Sequence, residues 1–462
     1  MSLDLLVKNG FIVSPRQLLR LDVGVKDGRI VAIGEGAYLP QADRVIDAAG
    51  RYVLPGVIDP HYHIMDWIAP GEEIIRSETI SSIASGVTTI GLFVNWRGDE
   101  EPGPFVQRNV ARWEASAVTD VFFHLSIRDP AGIPGLDRFP PLGVNSFKFL
   151  LGYRGAQAKA AGINSITDAD LFAGFEQIAK MDGKAWALVH AENGDIAGFL
   201  GERLRAAGRN DFQVWNESRP GFVEAEAMRR CLYLARVLDC PLYFPHTTIA
   251  EGVEVCAEAR AHGQQVMVET CPQYLTHTSE QPIPLFRDQP VFGNVNPPLR
   301  YGRDVDALWS GLRSKSVQTV GSDCAATTRR EKGSDLWKAP MGLGNTSNMI
   351  LPILLSEGVN KGKLTMPEVV EIACHNPATI FNLNPRKGEV AVGADADLVI
   401  VDLDRKVRIT PSLLQSRCDW TIYDGWEVRG WPVTTIKQGE IAAEAGRVLA
   451  EPGTGHFLPR NH

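Results

Sequence analysis

Residues 53–63 read VLPGVIDPHYH. An apolar run breaks abruptly into two histidines spaced H-x-H. The run from Val53 to Ile58 is continuous rather than alternating, the pattern of a strand buried on both faces. Seven further runs of this kind follow at Thr88–Val94, Val121–Ser126, Asn145–Leu150, Ala185–Val189, Pro241–Pro245, Gln265–Glu269 and Val317–Gly321. Segments of helical period separate most of them, most clearly Glu72–Ala84, Phe105–Ala115, Asp168–Met181, Glu224–Leu238, Ala250–Ala261 and Asp304–Leu312. The weakest link runs from Ser126 to Asn145, which is short and rich in Pro and Gly. Eight strand–helix units predict an α/β chain folded as a (β/α)8 TIM-like barrel, with its chemistry at the C-terminal ends of the strands. Periodicity alone also allows a doubly wound open sheet. No G-x-G-x-x-G follows an early strand, which speaks against dinucleotide binding.

Outside this middle the pattern changes. LDLLVKNGFIV (3–13) turns at Asn9-Gly10, and DVGVKDGRIVAIG (22–34) turns at Asp27-Gly28, a strong hairpin signal. GEVAVGADADLVIVDLD (388–404) and VTTIKQGEIAAEAGRVLAE (433–451) look alike at the other end. These hairpins are too small to stand alone, so both termini are expected to build one β-sandwich. The predicted division is residues 1–52 and 385–450 for the sandwich, 53–384 for the barrel and 451–462 for a C-terminal tail.

The chain has 462 residues, a length suited to a barrel plus a smaller companion. Its net charge is −8 with no basic block, which argues against a nucleic-acid partner. No apolar run reaches the ~18 residues of a membrane span. The start, MSLDLLVKNG, lacks the basic-then-apolar layout of a secretory leader. Seven widely spaced cysteines without a C-x-x-C argue against a disulfide framework or a cysteine zinc site, and fit a reducing cytoplasm.

Polar residues fall on this strand map unevenly. His61 and His63 follow strand one, Lys148 sits near the end of strand four, His190 follows strand five, His246 strand six and Asp323 strand eight. All six collect on one rim, where scattered polar residues would populate both. Residues two apart on an extended segment point the same way, so His61 and His63 can chelate one ion. Imidazole and carboxylate ligands suit Zn2+, with Mn2+, Fe2+ or Ni2+ as competitors. A lone strand-end histidine is more often structural, but an H-x-H pair joined by two more strand-end histidines and an Asp points to a metal site.

Lys148 lies among Val144, Phe147, Phe149 and Leu150. Burial lowers the pKa of an ammonium, and a neutral amine can add CO2 to give an anionic carbamate, N6-carboxylysine, whose two oxygens can bridge two cations. Such a lysine can instead snorkel to solvent or bind an anion.

These residues sit in segments with a clear resemblance. LPGVIDPHYH, FKFLLGY with its Tyr five residues after the Lys, VHAENGD, PLYFPHTT, ETCPQYL, NPPLR, VGSD and HNPATIFNLNPRKGEVAVGADADLVIVD follow in order over nearly the whole chain. The sequence resembles the cyclic amidohydrolases of the amidohydrolase superfamily, most closely the dihydropyrimidinase and hydantoinase branch. The resemblance implies a barrel with a β-sandwich from both termini. It implies two metal ions held by His61, His63, carbamylated Lys148, His190, His246 and Asp323, and a homotetramer or homodimer. Metal chemistry then predicts a hydroxide bridging two metal ions that attacks an amide carbonyl, with Asp323 moving the proton to the leaving nitrogen. Tyr153 resembles the donor to the tetrahedral oxyanion; ordinary packing at the barrel mouth is its alternative.

Asn296, before Pro297-Pro298, is expected to line the substrate site, because a cyclic imide presents N–H and C=O groups side by side; a simple turn is the alternative. Cys271 and Tyr274 are expected to build their loop. Three departures bear on substrate. Asn296 stands where hydantoinases and dihydropyrimidinases usually have Ser, Cys324-Ala325-Ala326 follows Asp323 where His is frequent, and Met341 replaces an Asn of the substrate loop. The insert RGAQAKAAGINS (154–165) is expected to form part of a lid. The expected activity is hydrolysis of a small cyclic amide. An allantoinase-like or dihydroorotase-like ring hydrolase, or one acting on another lactam or imide, is the alternative, with Asn95, Arg97 and Arg154 as basic or polar candidates near the site. A non-catalytic structural relative is disfavoured because all six ligands are present.

Overall fold

The computed structural model describes residues 2–160, 162–181 and 183–460. Eight parallel strands lie side by side in chain order: Val57–His63, Val87–Trp96, Asp120–Ile127, Ser146–Leu150, Trp186–His190, Leu242–Phe244, Val266–Thr270 and Thr319–Val320. A short ninth piece, Cys324–Ala325, pairs with the first strand through Cys324↔Tyr62 and Ala325↔His63 and closes the sheet into a TIM-like barrel. The expected eighth run, Val317–Gly321, is shorter in the structure (Thr319–Val320), and Cys324–Ala325 beyond Gly321–Asp323 is a strand piece that was not expected. Thr319–Val320 pairs with strand seven and Cys324–Ala325 with strand one. Two features cause the break. Asp323 adopts a left-handed backbone (φ 53°). At Gly321 any Cβ would meet the Glu269 carboxyl group and the His61 Cβ within 2.8 Å.

The six expected helices form as Gly71–Ala84, Pro102–Ser116, Asp168–Ala179, Gly221–Leu238, Ala250–Ala261 and Gly302–Ser314. Thr167 starts the third with a reciprocal cap, its hydroxyl accepting from Asp170 N–H and the Asp170 carboxylate from Thr167 N–H. The weak link before strand four holds only 3-10 turns, Pro130–Arg138 and Pro140–Leu142, because its prolines lack the N–H that a longer helix needs. Strands three and four are buried along their whole length, as their unbroken apolar runs predict.

Two further sheets lie outside the barrel. One orders Arg29–Gly34, Asp22–Lys26, Leu3–Lys8 and Ala42–Asp47. The other orders Arg447–Val448, Glu440–Glu444, Glu427–Lys437, Leu398–Arg408, Tyr52–Pro55, Phe11–Val13 and Leu18–Leu19. Leu5, Val23, Val25 and Ile30 of the first share an apolar cluster with Ile12, Val53, Leu398, Ile400 and Ile436 of the second. The Asp27-Gly28 turn joins a hairpin. The Asn9-Gly10 turn instead carries the chain from one sheet to the other. Val53–Ile58 is not one strand: Tyr52–Pro55 pairs with Leu398–Val401, and barrel pairing begins at Val57. Gly56 permits the switch, since a Cβ there would run into the Thr88 side chain.

The C-terminal segment runs along the base of the barrel. Val121 N–H donates to His456 O (2.9 Å), Leu458 N–H to Val121 O (2.7 Å) and Arg460 N–H to Gly143 O (3.1 Å). The buried Arg460 guanidinium donates to Phe123 O and, at 2.9 Å, to Ser146 Oγ. Beside it a buried ion cluster ties strand three to the later chain. Lys387 Nζ meets Asp120 at 2.7 Å, Asp397 at 2.6 Å and Asp395 at 3.1 Å, and Lys437 Nζ meets Asp120 at 2.7 Å. Removing one charge strands the others without water. Lys387→Met is therefore expected to destabilise the protein by about 3–5 kcal/mol, read as a lower urea midpoint. An unchanged midpoint would show that the cluster reorganises.

Candidate metal centre

His61 and His63 lie within the first barrel strand rather than after it. Their two-residue spacing turns both rings to the barrel mouth. Their Nε2 atoms are 3.3 Å apart, and Asp323 Oδ1 lies 3.2 Å from one and 3.3 Å from the other. Four ligands placed about 2.0 Å from a tetrahedral ion stand roughly 3.3 Å from one another. The three atoms thus have the mutual spacing of a shared cation, and these are the residues whose ligand atoms gather within 4.8 Å.

The other three expected ligands adjoin this group. Lys148 Nζ is 3.4 Å from His246 Nε2 and 4.8 Å from the centre of the Phe93 ring. The His246 ring lies 5.1 Å from that of His61 and 4.7 Å from that of His190. Tyr153 follows, its ring 5.3 Å from His190. The structure therefore brings all six strand-end residues and Tyr153 to one end of the barrel.

Electrostatics suit a cation. Burial opposes the Asp323 carboxylate, but His61, His63 and His246 outweigh it and hold its pKa well below the usual range. Burial takes the His63 imidazolium down to about 4, and burial with Lys148 holds His246 well down. Burial also lowers Lys148 to about 8, against the pull of Asp323 and Glu269. Ionised carboxylate and neutral imidazole are the forms that ligate.

Sequence reading missed the carboxylates behind the rim. Glu269, fully buried, accepts from Tyr243 O–H (2.6 Å) and His246 N–H (3.1 Å), and its Oε1 is 2.6 Å from His61 Nδ1. That contact turns the other nitrogen of His61 to the site. Glu192 lies 2.7 Å from His190 Nε2 and accepts from Arg219 at 2.8 Å. The available signal was a glutamate ending a buried apolar strand, QQVMVET (264–270).

Asn296 is 4% exposed, and both polar atoms of its amide lack a hydrogen-bond partner. Its loop is tied at two points: Trp215 Nε1 donates to Val295 O (2.9 Å) and Tyr274 O–H to Pro297 O (2.7 Å), so Tyr274, expected only to build its own loop, also braces this one. Cys271 is fully buried. Met341 does not join the ligand cluster; its side chain packs on Val214, Trp215 and Leu336. Its neighbours' carbonyls, Pro340 O and Gly342 O, each accept from the buried Lys332 Nζ at 2.7 Å, and Asn294 O does so at 3.2 Å. Within the insert, Gly155–Ala160 forms a short helix, and Leu150, Ala158 and Ile163 cluster against Tyr153. Ala161 lies outside the described residues.

Residues 244–442 match the amidohydrolase family. Over its whole length the chain is similar to the D-hydantoinase of Ralstonia pickettii, with 34% identity and 99% of each chain covered. It is 33% identical to the L-hydantoinase of Paenarthrobacter aurescens, covering 99% of this chain and 98% of that one. The crystal structure of the dihydropyrimidinase from Brevibacillus agri superposes with a TM-score of 0.90 at 30% identity, covering 99% of this chain and 98% of the other. Full-length similarity at this level, on a barrel with this rim of histidines, places the chain in the cyclic amidohydrolase family, with the hydantoinases and dihydropyrimidinases.

Proposed function

We propose that this enzyme hydrolyses a C–N bond in a small cyclic amide, hydantoinase- or dihydropyrimidinase-like, at a centre of two divalent metal ions. The convergence of His61, His63 and Asp323 at tetrahedral-ligand spacing carries the reading. His190, His246 and carbamylated Lys148 complete the ligand set. Zinc fits the donors best, with Mn2+, Fe2+ and Ni2+ as competitors. With its pKa near 8, Lys148 holds on the order of a hundredfold more neutral amine at pH 7 than an exposed lysine. That amine adds CO2 and releases a proton, giving the bridging carbamate. A β-sandwich from residues 1–52 and 385–450, a barrel over 53–384, a lid built from residues 154–165, a cytoplasmic location and a homotetramer or homodimer belong to the same reading.

When bound, the ions activate water and polarise the scissile carbonyl. The chain supplies the rest. Asp323, held ionised, accepts the proton of the attacking water and returns it to the departing ring nitrogen. Burial pushes the Tyr153 phenol up, so it stays protonated and donates to the carbonyl oxygen as charge develops there. The buried Asn296 amide, beside the Tyr153 phenol, offers one donor and one acceptor to the ring's adjacent C=O and N–H. Tyr153→Phe is expected to lower kcat by roughly 10²–10³-fold with little change in KM. A loss confined to KM would make Tyr153 a binding residue only.

Asn296 also favours a second reading, an allantoinase-like or dihydroorotase-like ring. Ring-opening assays on hydantoin, dihydrouracil, allantoin, dihydroorotate and succinimide, run beside metal analysis of the purified protein, separate the two. Protein that takes up no metal and opens none of these rings would refute both.

A further inference from the structure

Lys332 is 1% exposed, and ring opening as described gives it no part. It ends the short helix Arg329–Lys332, in the chain that follows Asp323. Thr328 and Glu331 cap that helix reciprocally, and Arg417 holds the Glu331 carboxylate through two bonds of 2.6 and 2.8 Å. The stem of Lys332 is therefore anchored where it enters the interior. Its Nζ donates to three backbone carbonyls of two other segments: Pro340 O and Gly342 O at 2.7 Å each and Asn294 O at 3.2 Å. An ammonium has three N–H groups, so donors and acceptors match one to one.

Nearby carboxylates are engaged elsewhere. Glu331 holds Arg417, Asp335 lies 3.0 Å from Lys338, and Asp419 accepts from Arg329 N–H at 2.7 Å. The titratable group in its field is the Cys418 thiol, which burial pushes up to about 12 and keeps neutral. Burial lowers the Lys332 ammonium to about 7, and three carbonyl dipoles turned on Nζ act the other way, favouring the charged form. A buried charge of this kind needs its acceptors held together, and buried carbonyls gathered on one point need a donor between them.

The segments so joined flank the ring site. Asn294 stands two residues before Asn296, and Pro340 and Gly342 enclose Met341. Residues 340–344 are seated on the strand piece that follows Asp323: Ala325 N–H donates to Gly344 O (3.1 Å), and a Cβ at Gly342 would meet the Ala325 Cβ at 2.5 Å. Gly342 N–H also donates to Asn294 O (3.0 Å). That bond and the Lys332 amine tie the Asn296 loop to the metal side of the barrel mouth.

We propose that Lys332 is a positioning residue for ring binding: as the shared cation of the Asn294, Pro340 and Gly342 carbonyls, it holds the Asn296 loop in place beside the metal centre and so sets KM rather than the rate of bond breaking. The inference rests on the ring-opening reading above and adds a residue to its substrate-binding side.

The probe is whichever of hydantoin, dihydrouracil, allantoin, dihydroorotate and succinimide the metal-loaded wild type opens fastest. Lys332→Met keeps the length of the stem and loses the charge. Its KM is expected to rise roughly 10- to 100-fold, with kcat within about threefold of wild type and metal content unchanged. Lys332→Ala opens the carbonyl cage to small cations, since carbonyl oxygens can replace the hydration shell of potassium. Potassium or ammonium at about 100 mM is expected to lower its KM several-fold, while tetramethylammonium at the same ionic strength does not, and none of the three moves the wild-type KM. A lysine that only filled space would not give that size-selective recovery. If neither variant folds, Glu331→Gln decides: it loosens the helix that carries Lys332 and is expected to raise KM about two- to threefold at constant kcat. An unmoved KM in the folded variants, a loss carried by kcat or by metal content, or a raised KM in Lys332→Ala that neither small cation lowers, overturns the clamp while leaving ring opening intact. A wild type that opens none of the five rings overturns the ring-opening reading, and this inference falls with it.

Discussion

Lys148→Ala is expected to abolish turnover, by about 10³-fold or more, and to lower bound metal. The wild-type amine is buried against Phe93 and His246, and that burial outweighs the pull of Asp323 and Glu269 on its charge. As the proposed carbamate it would carry the opposite sign and offer two oxygens as ligands. Alanine removes both oxygens and leaves a gap of similar size. Acetate or propionate has the same carboxylate head, so millimolar additions are expected to restore part of both metal content and activity. Metal analysis and rate measurements with and without the acid check this. Full activity in the variant, or rescue of activity without recovery of metal, would remove Lys148 from the centre.

The second large effect is expected at Asp323→Asn, with kcat falling roughly 10²–10⁴-fold. Its carboxylate lies against His61 and His63, which keep it ionised. Asparagine keeps the shape and loses both the charge and the capacity to carry a proton. The left-handed backbone at this position is also one that asparagine tolerates, so folding is expected to survive. A protein with wild-type metal content and a rate reduced by less than about tenfold would assign the proton transfer to another group. By contrast, Glu269→Gln is expected to weaken metal binding by about 10–100-fold, since it loosens the orientation of His61 without touching a ligand position.

The six rim residues were legible because a metal site at a barrel mouth requires ligands at strand ends, and strand ends can be located from apolar runs. H-x-H added its own chelating geometry. Glu269, Glu192 and Arg219 were not legible, because nothing in a one-dimensional pattern says which buried carboxylate will reach which histidine across the barrel. The eight-strand count held, but two boundaries did not. Val53–Ile58 is uniformly apolar, and periodicity cannot reveal that Gly56 hands the chain from an outer sheet to the barrel. Val317–Gly321 shrinks to Thr319–Val320, and the close packing at Gly321 and the left-handed backbone at Asp323 that follow are requirements that hydrophobicity does not encode. Asn9-Gly10 was read correctly as a turn, yet its partner strands lie in different sheets, a tertiary choice beyond local turn chemistry.

The C-terminal segment along the barrel base has a bearing on biosynthesis. Val121, Gly143 and Ser146 belong to the middle of the barrel, yet their bonds to His456, Leu458 and Arg460 span more than three hundred residues of chain. At a translation rate of about 5–20 residues per second, this underside stays unsealed for some tens of seconds after strands three and four leave the ribosome. The outer sheet is in the same position, since Tyr52–Pro55 waits for Leu398–Val401. The nascent enzyme therefore carries exposed apolar edges through most of its synthesis, a demand on chaperones set by the order of its strands rather than by the stability of its finished fold.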